Sequence, residues 1–398
     1  MKVGWRANCL VMPSAALAVL AFTAMTSASP MDELVAAAKT EGQLTIIALP
    51  RDWCGYGGII DGFKAKFGLK INELLPDVGS STVIDAIREL RDRAGPQTPD
   101  VIDVGLSFAS SAKRDGLLQP YKMTTWATIA HAAKDTDGYW YGAYYGTIAF
   151  EVNADIITKM PTDWADLASP DYRNAVGLAG DLASNQAIQG VFAAGLSAAK
   201  GNVDQAANQG LRFFADLNRK GNFVPIVGNL ASLRDGRTPI LVRWDYLALG
   251  DRERLRGKTR IEIVRPKTGG VAGVYVQAIS AFASHPNAAR LWMEYLYSDE
   301  TQLAFLNGHC RPIRLADLAR SGKVPAELGK RLVQFHDYGG DVDPLFPTLE
   351  EQEKTREIIT KGWDGVVGVK IQCLPDDSPS DVPMALNKRT VGQCSIPQ

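Results

Sequence analysis

The chain is poor in the residues that usually do chemistry. Its four histidines stand far apart, at 131, 285, 309 and 336, and only His309 has a thiol beside it, Cys310. No Cys-x-x-Cys, His-Glu-x-x-His, Gly-x-Ser-x-Gly or Walker A sequence occurs, which removes the usual signatures of metal sites, zinc proteases, serine hydrolases and P-loop enzymes. An excess of one charge sign is also absent: 43 Lys and Arg face 44 Asp and Glu, a formal net charge of -1. The field of such a molecule attracts neither nucleic acid nor an anionic membrane, and no basic run interleaved with aromatics is present. Past residue 25, no apolar run approaches the ~20 residues that span a bilayer. The expectation is a protein that is not an enzyme and has no cofactor, metal or nucleic-acid partner.

What is present begins with a distinct leader. Lys2 and Arg6 precede an apolar stretch from Cys9 to Met25, and Thr26-Ser-Ala-Ser29 leads into Pro30. That order predicts a secretory signal peptide over 1–28 and a periplasmic mature chain. A membrane anchor is the competing reading, but Pro13 interrupts a stretch already short for a span. Beyond the leader, Cys54, Cys310, Cys373 and Cys394 remain. Four cysteines in an exported chain allow three pairings. The short separation favours Cys373–Cys394, with Cys54–Cys310 as the remainder.

With 398 residues, 46% of them hydrophobic, the chain is long enough for two domains or lobes. Strand-like Leu44–Ala48, Lys70–Leu75 and Asp100–Val104 alternate with helix-like segments near Gly58–Phe67, Ser80–Arg93 and after Ser107. This alternation predicts an α/β architecture with a parallel sheet covered by helices. An extended aromatic segment, Tyr139–Asn153, interrupts it. A second series follows: a strand at Ala175–Leu178, helices from Asn185 and over Asp204–Leu217, and a strand at Pro239–Trp244. A strand at Val274–Ala281 and an amphipathic helix over His285–Tyr297 come last. The expected division is 29–145 plus 272–320 for lobe 1 and 146–271 plus 321–369 for lobe 2. Residues 370–398 form a disulfide-stapled extension.

Ligands of open α/β sheets sit beyond the carboxyl ends of the strands. The candidate ligand-binding residues at those junctions are Asp52, Trp53 and Tyr56 after the first strand, Ser80 and Ser81 after the second, and Ser107 after the third. The second series adds Asn185, then Arg243, Trp244, Asp245 and Tyr246. Of the adjacent Tyr144 and Tyr145, only one can face a given pocket; Tyr144 is the candidate. Ser80-Ser81-Thr82 has a simpler reading as a helix cap worth ~1 kcal/mol, against an anion held at the helix start. Cys54-Gly-Tyr-Gly-Gly-Ile-Ile60 resembles a dinucleotide fingerprint, but Ile60 stands where the third glycine belongs.

Several stretches together resemble the solute-binding component of bacterial ABC importers, in the broad spermidine/putrescine- or iron(III)-type group. They are Leu49–Phe63, Asp100–Phe108, Asp137–Gly142, Arg243–Tyr246, Pro286–Asp299 and Arg311–Arg314. The resemblance implies the type II periplasmic binding protein fold: two α/β lobes joined by hinge strands, with a ligand cleft between them. It further implies a monomer whose partners are a small-molecule ligand and the permease subunits of an importer. Cys54 and Cys310 depart from the group's pattern together, which suggests a private disulfide. Mixed charge at the junctions predicts a zwitterionic or amine-bearing ligand. A polyamine, or an organic anion such as a phosphonate or sugar phosphate, is the alternative. Ferric iron, an exported enzyme and a sensory module rank below these.

Overall fold

The computed structural model describes residues 1, 4, 29–92, 95, 97–330 and 343–373. The expected leader, apart from residues 1 and 4, lies outside the described residues. So does the chain from 374 onward, and with it the expected Cys373–Cys394 pairing.

The first elements are α1 (Pro30–Glu41), β1 (Gln43–Ile47), α2 (Tyr56–Phe67), β2 (Lys70–Leu74), α3 (Ser80–Leu90), β3 (Val101–Gly105), α4 (Leu106–Arg114) and β4 (Leu118–Gln119). The long β5 (Tyr141–Asn153) leads to β6 (Val176–Leu178), α5 (Asn185–Ala198), α6 (Val203–Lys220), β7 (Phe223–Val227), α7 (Leu230–Arg234), β8 (Ile240–Trp244), α8 (Asp245–Arg254) and β9 (Ile261–Val264). Then follow β10 (Ala272–Ser280), α9 (Pro286–Leu296), α10 (Asp299–Asn307), β11 (Arg311–Pro312), α11 (Leu315–Arg320) and α12 (Leu349–Val366).

The strand order is β2-β1-β3-β10-β5-β8-β6-β7. Two parallel groups, β2-β1-β3 and β8-β6-β7, flank a central pair, β10 and β5, that runs antiparallel to its neighbours. The expectation of a parallel sheet is therefore corrected to a mixed one. Strand–helix alternation within each group produces parallel pairing, but each strand that carries the chain between the groups runs against the group it adjoins, β10 against β3 and β5 against β8. In β5, Tyr141–Thr147 pairs with β10 and Ile148–Val152 pairs with β8. One strand thus belongs to both halves, and its neighbour β10 begins where the chain returns.

The helices follow their apolar stripes. In α3 the buried residues include Val83, Ile84, Ile87 and Leu90, one face of an amphipathic helix. The early helix α1 starts from a Ser29–Asp32 capping box. The long α12 lies outside every helix expected from the sequence. Its buried stripe is Gln352, Thr355, Ile359 and Trp363, half of it polar. Trp363 packs against Phe214 and Phe223, and Glu353 pairs with Arg114 of α4 at 2.8 Å, so this helix touches both halves.

The carboxyl ends of the two parallel groups face each other. Trp53 after β1 meets Tyr246 after β8, and Ser81 after β2 donates its backbone N–H to the Ala183 carbonyl after β6 at 3.2 Å.

Candidate functional site

Between those facing ends lies one buried carboxylate. Asp103 is the central residue of β3, whose five residues are all buried. Cross-strand register sets Gln277 of β10 directly opposite it. The Gln277 side-chain amide donates to Asp103 Oδ2 at 2.7 Å, and the Tyr56 hydroxyl donates to the same oxygen at 2.5 Å. The Tyr144 hydroxyl lies 3.4 Å from Oδ1. Among the described residues no lysine, arginine or histidine pairs with it. Burial therefore dominates, and even with three hydrogen bonds the carboxyl is pushed up to about 8. The surrounding phenols of Tyr56, Tyr144 and Tyr246 rise well above their ordinary range, first through burial and then through the Asp103 charge and neighbouring groups.

Aromatic rings enclose this carboxylate. Tyr275 stacks on Tyr144 with centroids 5.5 Å apart and meets Trp53 edge-on at 5.8 Å. Trp244 stacks on Tyr246, and its indole N–H points at the Tyr275 hydroxyl, 3.4 Å away. A cavity of about 20 Å³ opens here, lined among others by Trp53, Ser80, Asp103, Ser184, Asn185 and Tyr275. Both polar atoms of the buried Asn185 side chain lack a hydrogen bond of normal geometry, as does the buried Tyr246 hydroxyl. Buried polar groups left in this state lose free energy that a ligand can restore.

Close approach of the two halves shapes the cavity. A Cβ on Gly79 would lie 2.7 Å from the Ala183 carbonyl oxygen, and one on Gly105 would lie 2.3 Å from Asn185 Cγ. Asp52 pairs with Arg254 of α8, and His309 Nε2 lies 3.1 Å from Glu253 of the same helix. The molecule is closed around its cavity.

Residues 96–331 match the profile of the bacterial extracellular solute-binding protein family. The chain belongs to this family. Solved structures similar to it include iron-bound HitA from Pseudomonas aeruginosa, at 17% identity and TM-score 0.60, covering 82% of this chain and 99% of that one. AfuA from Actinobacillus pleuropneumoniae, with fructose 6-phosphate bound, is 18% identical at TM-score 0.60 with the same coverage. The Atu4243 GABA receptor is 15% identical at TM-score 0.58, covering 82% and 97%. No curated protein sequence matches. At these identities the likeness is one of fold, and the fold is the periplasmic binding protein fold that the resemblance implied.

In this solute-binding protein Trp53, Ser80 and Asn185 line the cavity. Tyr56 and Tyr144 reach it through Asp103, and Trp244 and Tyr246 supply its aromatic backing. Ser81 faces a neighbouring, wider cleft. Ser80 does not cap its helix. Its hydroxyl accepts the Gly105 N–H at 3.0 Å and so joins α3 to the start of α4. Ser107 is buried in α4 and lines neither opening. Asp52 is spent on Arg254.

Two candidates lie away from the cavity because they are already neutralised. Arg243 is buried between Glu151 at 2.8 Å and Asp251 at 2.5 Å. Asp245 accepts from Thr147, Arg265 and Arg311 at 2.7 to 3.1 Å, and although burial opposes it, the two guanidinium groups and Thr147 hold its carboxyl at about 2. A side chain with that many partners is part of the frame. The residues the sequence reading missed are Asp103, Tyr275 and Gln277. The available signal was a lone carboxylate within the apolar run Val101-Ile-Asp-Val104. Cys54 and Cys310 are bonded, with Cα atoms 5.2 Å apart, and fasten the loop carrying Trp53 to the segment entering β11.

Proposed function

We propose that this protein captures a small solute bearing an ammonium group and presents it, in the closed form, to the membrane subunits of an ABC importer. The carrying observation is Asp103, a buried carboxylate among aromatic rings with no cationic side chain beside it. An ammonium group supplies the missing charge, and the flanking rings add a desolvated cation–π attraction of about 2 kcal/mol. Size narrows the choice: about 20 Å³ accommodates a head of one water's size, which suits a primary ammonium and not a trimethylammonium group. The similar solved structures are an iron-bound protein, a fructose-6-phosphate-bound protein and a GABA receptor, so the fold does not select among chemistries and the choice rests on the side chains. Export through the 1–28 leader places capture in the periplasm. Binding requires no bond to be made or broken, and discrimination by the importer follows from shape, since a solute favours the closed form by its difference in affinity for the two states.

The test is native mass spectrometry of the mature chain, followed by a thermal-shift screen with methylammonium, putrescine, amino acids and ferric citrate. A probe at 100 times its dissociation constant stabilises by ~2.7 kcal/mol. Asp103→Asn is expected to lose the response to amines while remaining folded. Equal amine responses in the two proteins, or a response to ferric citrate alone, overturns the reading.

A further inference from the structure

A second opening shares a wall with the aromatic cavity. Ser80 and Ser184 face the small cavity, while Ser81 and Ala183 face a cleft of about 780 Å³ between α3, α4, the turn after β6, and α12. That volume falls in the range of small-molecule sites. Most charges around it have partners. Arg88 pairs with Asp85 and Asp115, the nearby Arg114 pairs with Glu353, and Asp181 accepts the Ala183 N–H at 2.9 Å. Lys370 and Asp364 contribute one charge of each sign.

Arg356 of α12 is different. Among the described residues it has no carboxylate within 4 Å. Its guanidinium is half-buried, lies 4.4 Å from the Phe108 ring centroid, and places Nη1 3.5 Å from the Ser111 hydroxyl. Burial lowers its proton affinity, and although Glu353 opposes this, Arg114 and Arg88 lower it further. A held, partly desolvated cation with no carboxylate paired to it, facing open volume, is an arrangement that an anion relieves.

We propose that Arg356, with Ser111 and Ser81, forms a subsite for an anionic group of the captured solute: a carboxylate, phosphonate or phosphate. The subsite stands independently of the amine reading. Together with an ammonium at Asp103, it makes the solute a zwitterion that spans the wall between the two openings. Ser111 and Phe108 belong to α4 and Arg356 to α12, so an anion here also ties the two helices together.

Inorganic phosphate and acetate, each compared with chloride at equal ionic strength, serve as probes in thermal shift and titration calorimetry. The wild type and Asp103→Asn are expected to bind phosphate or acetate alike, and whichever binds more tightly identifies the anion class. Arg356→Gln is expected to weaken that binding at least tenfold, and Arg219→Gln, a surface control, to leave it unchanged. A merely structural Arg356 would lower the melting temperature equally in all salts and leave the difference between salts intact, which overturns the proposal. Should Arg356→Gln fail to fold, Ser111→Val, which blocks the subsite from the facing helix, is expected to give the same loss; retained binding there also overturns it. Loss of amine response with anion binding intact, as expected for Asp103→Asn, separates the two sites.

Discussion

Asp103 stands between Ile102 and Val104 in a fully buried strand, and its free energy depends on pH in a direction that can be worked out. Its carboxyl is held up to about 8 in the folded chain against ~3.9 when unfolded. Below pH 4 both states keep the proton and the group's contribution to stability is complete. Between pH 4 and 8 the unfolded chain releases the proton while the folded chain retains it, so stability falls by up to about 1.4 kcal/mol per pH unit. Glu151, also held at about 8, first by burial and then by Asp251, acts in the same direction. Asp245, held at about 2, acts oppositely, and its contribution is lost as pH falls from 4 toward 2. Urea unfolding of the ligand-free protein at pH 5 and pH 8 is expected to show lower stability at pH 8, with a smaller difference in Asp103→Asn. Equal differences in the two proteins would show that Asp103 is ionised throughout. An ammonium probe that ionises Asp103 must release about one proton on binding at pH 6–7. Its affinity is therefore expected to rise with pH up to 8, and calorimetry in buffers of different ionisation enthalpy measures the proton directly.

At the scale of elements, the loop between β1 and α2 carries Trp53 and leads into Tyr56 at the first position of α2, and it is fixed by the Cys54–Cys310 bond across 256 residues of sequence. Loss of a native disulfide costs on the order of 2–5 kcal/mol. Because Trp53 adjoins Cys54, the paired Cys54→Ser and Cys310→Ser variant is expected both to melt at lower temperature and to bind the amine probe more weakly. A lower melting temperature with unchanged affinity would show that the bond supports the frame alone. The same loop shows how far the sequence could be read. Its aromatics were legible because bulky residues follow a buried strand where turn residues are usual. Asp103 was not, because a single carboxylate in an apolar strand gives no period. Asp245 misled for a related reason: its neutralisers, Arg265 and Arg311, come from segments 20 and 66 residues downstream, and only folding brings them together. Helix α12 was invisible because Gln352 and Thr355 occupy half of its buried stripe, so hydropathy alone shows a polar segment.

For the whole molecule, capture depends on how closely the two halves can meet, and Gly79 sits at the point of contact. Its backbone, at φ −71° and ψ 158°, is open to any residue, so a side chain there brings no backbone strain. In the closed form, however, a Cβ would lie 2.7 Å from the Ala183 carbonyl oxygen, closer than such atoms tolerate. Gly79→Val therefore acts on the equilibrium between open and closed forms and not on folding. A clash of about 2 kcal/mol confined to the closed form lowers apparent affinity roughly thirtyfold, because the solute must supply that energy before it holds both halves. The variant is expected to match the wild type in urea unfolding without ligand, to bind the amine probe about thirtyfold more weakly, and to keep a larger radius of gyration by small-angle scattering at partial saturation. Unchanged affinity would mean that the halves do not need to meet at Gly79 for the solute to be held. The aromatic cavity would then be filled in a more open arrangement, with the Asp103 carboxylate still reached from one side.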